Sequence, residues 1–245
     1  MHGNAMAGLN LGDNWTPRTR NVLLALFAVY VAQLLVPGVL EAWFAWRPFS
    51  QGFLPWQPLT AFVLGGPTPF AACLEWLGLF FLLAPVERAL GQRDAWFGLL
   101  AAWGAAVVLG LTLAAVGAVG VSSGGYLGLA PVLAALVAFF GWAHPGARIL
   151  LAFIIPVRAD LVAWATGLLS FLYLLYARDL GSALTFGAWA GAWAWMRLGG
   201  TGALRRWGLH ARRRKIERDL RKFEVIDGGR TAGGPRRTKP EEWVN

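Results

Sequence analysis

A serine that precedes an apolar stretch is the first residue of this sequence that could carry chemistry. Ser123 lies within residues 120–131, GVSSGGYLGLAP, and is followed by Gly124 and Gly128. A serine hydroxyl attacks a carbonyl carbon effectively only when a neighbouring base accepts its proton, and hydrogen-bond donors must then stabilise the oxyanion. Glycines at this spacing also let two helices approach closely in a bilayer. Taken alone, the segment favours helix packing over catalysis, with Ser123 as the candidate nucleophile.

The base that such a serine needs is absent from its surroundings in the sequence. His144 would lie about 30 Å from Ser123 along a helix, and His2 and His210 lie near the two termini. The lysines all lie in the C-terminal tail, as Lys215, Lys222 and Lys239. Losing the base of a catalytic serine lowers the rate by several orders of magnitude. The sequence therefore predicts that Ser123 does not support efficient proteolysis.

Glu75 is the clearest ionisable residue within a predicted membrane span. A carboxylate in a bilayer costs about 2.5–3.5 kcal/mol on insertion scales, so it usually faces the interior of a helix bundle. We expect it to form hydrogen bonds there, and the candidate partners are Ser122, Ser123, Thr60 and Thr185. Contact with a ligand or a client protein is a second interpretation, and general-base catalysis is a third. A single such residue disfavours a transporter or channel, whose path commonly has more polar lining.

The composition predicts that lipid covers much of the protein surface. Hydrophobic residues make up 57% of the 245 residues, charged residues make up 14%, and the mean hydropathy is +0.51. Most of the formal charge of +9 comes from the C-terminal tail. A basic tail beside a membrane favours binding of anionic lipid headgroups over nucleic acid. Cys73 is the single cysteine, which excludes an intramolecular disulfide, and we expect neither a metal nor a cofactor.

Apolar stretches of span length predict an all-α membrane protein with six transmembrane helices. The predicted spans are residues 21–39, 59–83, 95–119, 123–142, 161–177 and 182–196. A tryptophan-rich loop at 41–58 is expected to lie in the membrane interface, as is the short apolar stretch 149–155. Pro131 is expected to kink the fourth span.

The distribution of arginines predicts the orientation of these spans, because basic loops are retained on the cytoplasmic side. With six spans, one side holds Arg18, Arg20, Arg88, Arg93, Arg148, Arg158 and the basic residues from Arg197 onward, and the other holds only Arg47 and Arg178. Both termini are therefore expected in the cytoplasm. The predicted organisation is a tail at 1–16, a membrane domain at 17–199 and a basic tail at 200–245. That last tail is expected to form a helix near 210–226 and to be disordered beyond it.

Several short motifs occur in an informative order along the chain. They are Trp56-Gln57-Pro58-Leu59-Thr60, the segment PVERALG at 85–91, Ser123-Gly124 with Gly128, Ile155-Pro156-Val157, and Gly187 with Gly191. In this order and spacing they resemble the rhomboid superfamily of intramembrane serine proteases, over residues 17–196. Trp46-Arg47 is similar to a pair in the family's lateral loop. The resemblance implies a six-helix bundle of rhomboid type with an interfacial loop after helix one, in which Gly187 and Gly191 pack helix six against helix four.

The resemblance also implies roles for individual residues. In active rhomboids a serine of helix four is the nucleophile, a histidine of helix six is its base, and His and Asn side chains of helix two help to hold the oxyanion. Ser123 matches the nucleophile, whereas Leu184 occupies the position of the helix-six histidine. Glu75 occupies the position of the asparagine, and Ala71 or Phe70 that of the helix-two histidine.

Retained packing glycines together with a missing base predict a catalytically degenerate rhomboid-like protein. Such a protein would use its bundle and lateral loop to bind the transmembrane helices of client proteins, besides membrane lipids. The alternative is an active intramembrane serine protease with Ser123 as nucleophile and an unorthodox base. The compact six-span core predicts a multi-pass protein of a bacterial inner membrane.

Overall fold

The computed structural model describes residues 17–36, 38–47, 54–66, 68–120, 126, 128–151 and 155–202. These residues belong to one unit of the chain, Met1–Ala203. The described elements are α1 (Pro17–Leu35), α2 (Val39–Phe44), α3 (Gln57–Thr60), α4 (Pro69–Leu90), α5 (Gln92–Ala115), α6 (Ala130–Ala143), β1 (Arg148–Leu151), β2 (Ile155–Arg158), α7 (Ala159–Ala177) and α8 (Leu180–Leu198). The predicted tail at 1–16 and the predicted helix at 210–226 lie outside the described residues.

Four of these helices, α1, α4, α5 and α7, are long and apolar enough to cross a membrane. Their length of 19 to 24 residues matches the roughly 30 Å thickness of a bilayer core. The prediction of a helical membrane protein is therefore supported. The other two predicted spans correspond to α6, with 14 residues, and α8, with 19 residues.

The interior position of α6 and α8 explains why they differ from the four apolar helices. The shorter one, α6, contacts α4, α5, α7 and α8, and α8 contacts α5, α6 and α7. A helix surrounded by other helices needs neither full bilayer length nor an apolar surface on every side. The buried side of α8 accordingly carries small residues, among them Ser182, Gly187 and Gly191.

The second predicted span was wrong at both of its ends. It begins at Pro69 rather than at 59, because the short helix α3 ends at Thr60 and the chain then continues through a turn at 61–63 and irregular backbone at Gly65 and Gly66. The Thr68 side chain accepts a hydrogen bond from the Ala71 backbone N–H at 3.2 Å, which caps the start of α4. The helix also continues past the predicted end at 83, through the internal Pro85, to Leu90.

The fourth predicted span was wrong at its start, because Gly128 has φ +125° and cannot belong to a helix. The helix α6 begins at Ala130, two residues later. Pro131 therefore lies in the first turn and does not kink the helix, since a first-turn proline lacks an N–H that would be unpaired there anyway.

A short β-hairpin corrects the prediction that the whole fold is α-helical. The strands β1 and β2 pair antiparallel, with Arg148 opposite Arg158 and Leu151 opposite Ile155. The Ala159 backbone N–H donates to the Ala147 carbonyl at 2.9 Å, so the pairing extends to the start of α7. The hairpin thus links α6 to α7 and lies beside the helix ends that it joins.

Two sets of contacts show that α5 and α8 run antiparallel. At one end, the Thr201 backbone N–H donates to Asp94 Oδ1 at 2.9 Å. At the other end, the Leu180 backbone N–H donates to the Gly120 carbonyl at 3.1 Å. The first end is called the turn end here. It contains the α4–α5 turn, the β-hairpin and the end of α8. The second end, with residues 38–47, 54–66, 116–120, 126, 128–129 and 178–180, is the mouth.

Candidate functional site

The predicted nucleophile lies in the sequence between α5 and α6. Ser123 and Gly124 lie outside the described residues, but both flanks of their segment are described. The Gly120 backbone N–H donates to the Arg178 carbonyl at 2.7 Å, which joins the loop to the start of α8. On the other flank, the Gly128 backbone N–H donates to the Ala61 carbonyl at 3.2 Å. The mouth therefore brings together the α5–α6 loop, the start of α8 and the chain that precedes α4.

Trp46 anchors the predicted lateral loop, the tryptophan-rich segment at 41–58, in the bundle. Its backbone exchanges two hydrogen bonds with Tyr126, at 2.9 and 2.8 Å. Its side chain is 2% exposed and belongs to the hydrophobic core. Trp46 is therefore packed inside the protein, whereas Trp43 and Trp56 are exposed.

Gln57 holds the lateral loop closed from inside. Its side chain is fully buried, and its Oε1 accepts hydrogen bonds from the backbone N–H groups of Arg47 at 3.2 Å and Leu54 at 3.3 Å. Its Nε2 donates to the Ala42 carbonyl at 3.4 Å. The Arg47 Nε is buried and has no hydrogen-bond partner within the part of the chain that the structure describes. In the sequence, Gln57 was identified only as part of the motif at residues 56–60, and no structural role was predicted for it.

The exposed Trp56 and the half-buried Thr60 add further hydrogen bonds to the same loop. The Trp56 Nε1 donates to the Trp43 carbonyl at 3.1 Å, and the two indole rings stack with centroids 6.4 Å apart. The Thr60 hydroxyl donates to the Phe44 carbonyl at 3.3 Å. The motif at residues 56–60 therefore fastens the lateral loop to the chain that leads into α4.

Leu184, at the position expected for a histidine, is a core residue. Its side chain has no exposed area. A Cβ atom built at Gly110 of α5 would lie 3.0 Å from Leu184 Cδ2, 3.1 Å from Leu180 Cδ1 and 3.2 Å from Trp46 Cη2. These three side chains thus converge on the small surface that Gly110 leaves open. The atoms of Leu184, Leu180 and Trp46 that meet at Gly110 are all carbons, and none of these three side chains is a proton acceptor.

Gly187 and Gly191 pack α8 against α5. A Cβ atom at Gly187 would lie 2.7 Å from the Ala106 Cα, and one at Gly191 would lie 2.8 Å from the Ala102 Cα. The prediction that these glycines face the fourth span is therefore wrong, although α8 also contacts α6. The spacing identified a close helix contact correctly but carried no information about which helix it meets.

Glu75 accepts hydrogen bonds from backbone N–H groups in two irregular segments, one before α4 and one before α6. The Gly66 backbone N–H donates to its Oε2 at 3.2 Å, and the Leu129 backbone N–H is a second donor to the carboxylate. None of the described hydroxyls proposed as partners is used, because Thr60 and Thr185 donate to backbone carbonyls instead. Ser122 and Ser123 lie outside the described residues.

Gly128 faces the carboxylate of Glu75. A Cβ atom at this position would lie 2.9 Å from Glu75 Oε1, and its φ of +125° is rarely adopted by other residues. Gly128 was expected to pack one helix on another, but its glycine is required by the turn and by the close carboxylate. Glu75 thus ties the residues before α4 to those before α6.

Replacing Glu75 with leucine is expected to destabilise the protein by about 1–3 kcal/mol, because the Gly66 N–H loses its acceptor in a buried place. Glu75→Gln keeps a carbonyl oxygen for that N–H and is expected to cost less. Thermal unfolding of the purified variants in detergent measures the difference. Equal stability of Glu75→Leu and the natural protein would show that the carboxylate does not hold these segments.

Tyr126 and Asp179 belong to the same site, although the sequence did not single them out. The Tyr126 hydroxyl donates to the Gly128 carbonyl at 3.3 Å. Burial, followed by the nearby carboxylates of Glu75 and Asp179, raises the pKa of Tyr126 well above its usual value, so it stays a neutral hydroxyl and not a base. Asp179 accepts a hydrogen bond from the Ser182 backbone N–H at 2.6 Å and caps α8. Aspartate directly before an apolar helical stretch is the signal that could have identified this cap.

The described histidine lies at the turn end, away from this site. His144 follows α6 directly, and its ring lies 5.0 Å from that of Phe140. Sixteen residues separate it from Gly128, or about 24 Å at helical rise. Within the described ranges, no three His, Cys, Asp or Glu residues are grouped so that they could hold a metal ion.

The described groups at the mouth hold its loops together. Glu75 accepts backbone hydrogen bonds, the Tyr126 hydroxyl donates to a backbone carbonyl and Asp179 caps α8. Glu41, which accepts a hydrogen bond from Gln33 Nε2 at 3.1 Å, Arg47 and Arg178 are the other ionisable residues in the described ranges of the mouth. Comparison with known proteins adds no family to this description. No protein-family model matches the chain, and no curated protein matches it.

Proposed function

We propose that this protein is a rhomboid-like membrane protein without proteolytic activity, which binds transmembrane helices of client proteins. The observation that carries the proposal is the surroundings of Leu184. The position that resembles the catalytic histidine is a fully buried leucine, packed with Trp46 and Leu180 over Gly110. Substituting an aliphatic side chain for the base removes proton transfer while keeping the packing of α8.

Glu75 supports the same conclusion, because it bears on the stabilisation of the oxyanion. A tetrahedral intermediate needs hydrogen-bond donors aimed at its negative oxygen. Here two backbone donors before α4 and α6, at Gly66 and Leu129, are directed at a carboxylate of the protein itself. An ionised carboxylate at that place would also repel the developing negative charge. The resemblance puts this residue where active members have an oxyanion donor.

The surface that we propose for client helices lies between α4 and α7. Among the described elements both helices pack on α6 and hardly on each other, which leaves α6 as the floor of a groove. Large apolar side chains face outward on both sides, namely Phe70, Leu74 and Leu77 on α4, and Leu168, Leu172 and Tyr176 on α7. A transmembrane helix could contact both rows at once. The surface of such a helix is as apolar as lipid, so close packing, and not hydrophobicity, would determine where it binds.

The two ends of the bundle support the proposed orientation. The turn end carries Arg88, Arg93, Arg148, Arg158 and Arg197, whereas Arg47 and Arg178 lie at the mouth. By the preference of basic residues for the cytoplasm, the turn end and both termini face inward. We place the protein in a bacterial inner membrane, with the basic tail on anionic headgroups of the cytoplasmic leaflet.

A serine-directed probe tests the absence of catalysis. We expect that a fluorophosphonate will not label Ser123 in the purified full-length protein, because no base lowers the cost of forming the alkoxide. In liposomes, a panel of transmembrane substrates with helix-destabilising segments should remain uncleaved. The same substrates should co-purify with the protein, which is what binding without proteolysis predicts.

The alternative, an active intramembrane serine protease, makes the opposite prediction in the same assay. Labelling at Ser123, together with cleavage that Ser123→Ala abolishes, would establish it and end the proposal of an inactive member. Ser123→Ala also serves as the matched control, because an inactive protein should bind the substrates equally well with either residue. Failure of every substrate to co-purify would instead contradict the client-binding half of the proposal.

A further inference from the structure

A tryptophan-lined cavity lies at the turn end, far from the residues of the mouth. It has a volume of about 260 Å³ and is lined by Trp142, Trp164, Trp193, Met196 and Arg197. Small-molecule pockets are usually larger, about 300–1,000 Å³. Trp164 and Trp193 are 47% and 38% exposed, so the cavity opens on the outer surface of the bundle. Its shape and lining suit one end of a long apolar chain.

Packed aromatic rings give this cavity a firm wall. The ring of Trp142 lies 6.0 Å from that of Trp164 and 5.7 Å from that of Trp189. The Trp189 Nε1 donates to the Ala163 carbonyl of α7 at 2.8 Å, and Trp189 fills the space left by Gly167. The wall is therefore built by the packing of α6, α7 and α8 and exists before any ligand binds.

The position of the cavity along the helices places it at the turn-end edge of the hydrocarbon core, just below the headgroups. Trp142 is the second-last residue of α6. Trp164 lies about 8 Å from the start of α7, and Trp193 lies about 8 Å from the end of α8, at 1.5 Å per residue. Indole rings prefer this zone of a bilayer, where an apolar body and a polar N–H are both accommodated.

Arg197 supplies a positive charge at the rim. Its guanidinium carbon lies 5.7 Å from the centroid of the Trp193 ring, so the side chain is folded over the cavity wall. In the part of the chain that the structure describes, Arg197 forms no ion pair with a carboxylate. Arg158 at the same end differs, because its Nη2 contacts Asp160 Oδ2 at 2.7 Å.

We propose that this cavity is a binding site for an anionic glycerophospholipid of the leaflet at the turn end. The first part of an acyl chain lies against the tryptophan wall, and the headgroup phosphate pairs with Arg197. Charge complementarity selects the anionic headgroup, and the wall selects a lipid over a soluble phosphate. The site requires only that the chain is embedded in a membrane, and it is independent of whether Ser123 is active.

Native mass spectrometry of the full-length protein in detergent tests this site. Titration with dioleoyl phosphatidylglycerol and with dioleoyl phosphatidylcholine is expected to show tighter binding of the anionic lipid. Arg197→Gln should weaken phosphatidylglycerol binding about fivefold, the effect of about one basic residue at a membrane surface, and should weaken phosphatidylcholine binding less, because the choline cation already offsets the charge of its phosphate. Trp193→Ala should weaken both lipids, because it removes part of the wall and no charge.

Arg158→Gln is the matched control, since it removes a paired arginine from the same end, and it should leave both affinities unchanged. The basic tail is present in every variant and contributes equally to each. Equal effects of Arg197→Gln and Arg158→Gln, or no effect of either, would overturn the proposal. Displacement of the lipid by millimolar inorganic phosphate would overturn the assignment to a lipid, because it would show that the acyl chain contributes nothing.

Discussion

Trp46→Ala is expected to destabilise the protein by about 3–5 kcal/mol, the range found for removing a buried aromatic side chain. The side chain is 2% exposed. Its Cη2 lies 3.2 Å from the place of a Cβ atom at Gly110, beside Leu180 and Leu184. Alanine would leave a cavity between the lateral loop, α5 and α8. The backbone hydrogen bonds with Tyr126 do not need the indole, so the loss measures burial.

Trp43→Ala is the matched control, because Trp43 belongs to the same loop and is 55% exposed. Its carbonyl, which accepts the hydrogen bond from Trp56, is retained in alanine. We expect a change below about 1 kcal/mol, as for most exposed positions. Thermal unfolding in detergent and resistance to protease compare the two variants. Equal losses would contradict the insertion of the lateral loop into the bundle.

The insertion of Trp46 has a consequence for function. Trp46 and Gln57 join the described parts of the lateral loop to the bundle at the mouth. A client helix, as proposed above, would therefore meet the groove between α4 and α7, which the described contacts leave open.

Hydropathy predicted where the long helices lie but not where some of them begin. The apolar run that starts at Leu59 looks continuous, yet the chain turns at Gly65 and Gly66 before α4 begins. The turns are held by tertiary contacts, since Gly65 lies against the Tyr30 ring and the Gly66 N–H donates to Glu75. Irregular backbone at membrane depth is possible only when protein groups satisfy it, and an apolar sequence does not reveal such groups.

The sequence predicted which residue types belong to the candidate site better than it predicted which groups they contact. The cost of a charge in a bilayer placed Glu75 in the interior, and the structure agrees. Its actual donors are backbone N–H groups, which every residue carries and which no motif identifies. Gly187 and Gly191 likewise indicated a close helix contact, but the partner depends on the order of helices around α8. The sequence shows which side chains can form hydrogen bonds or close contacts. Which helix or loop they contact depends on how all the helices pack.

The contact between α5 and α8 also determines the second large effect, that of Gly191→Leu. We expect a loss of about 3 kcal/mol or more, at or above the usual range for overpacking. Even a Cβ atom at this position would lie 2.7 Å from the Ala105 Cβ and 2.8 Å from the Ala102 Cα, so the helices must separate. Gly104→Leu is the matched control on α5, because a Cβ there meets nothing within 4 Å. It should be neutral or stabilising by up to about 1 kcal/mol through helix propensity.

A double variant distinguishes steric overlap from other causes of this loss. Gly191→Ala alone should lower the unfolding temperature, and Ala105→Gly in the same protein should restore part of it by removing the opposing methyl group. No recovery, or equal losses for Gly191→Leu and Gly104→Leu, would contradict the close approach of α5 and α8. The same pair of helices is joined at both ends, by Asp94 with Thr201 and by Gly120 with Leu180. Forcing them apart in the middle should therefore disturb the mouth as well as lower the stability.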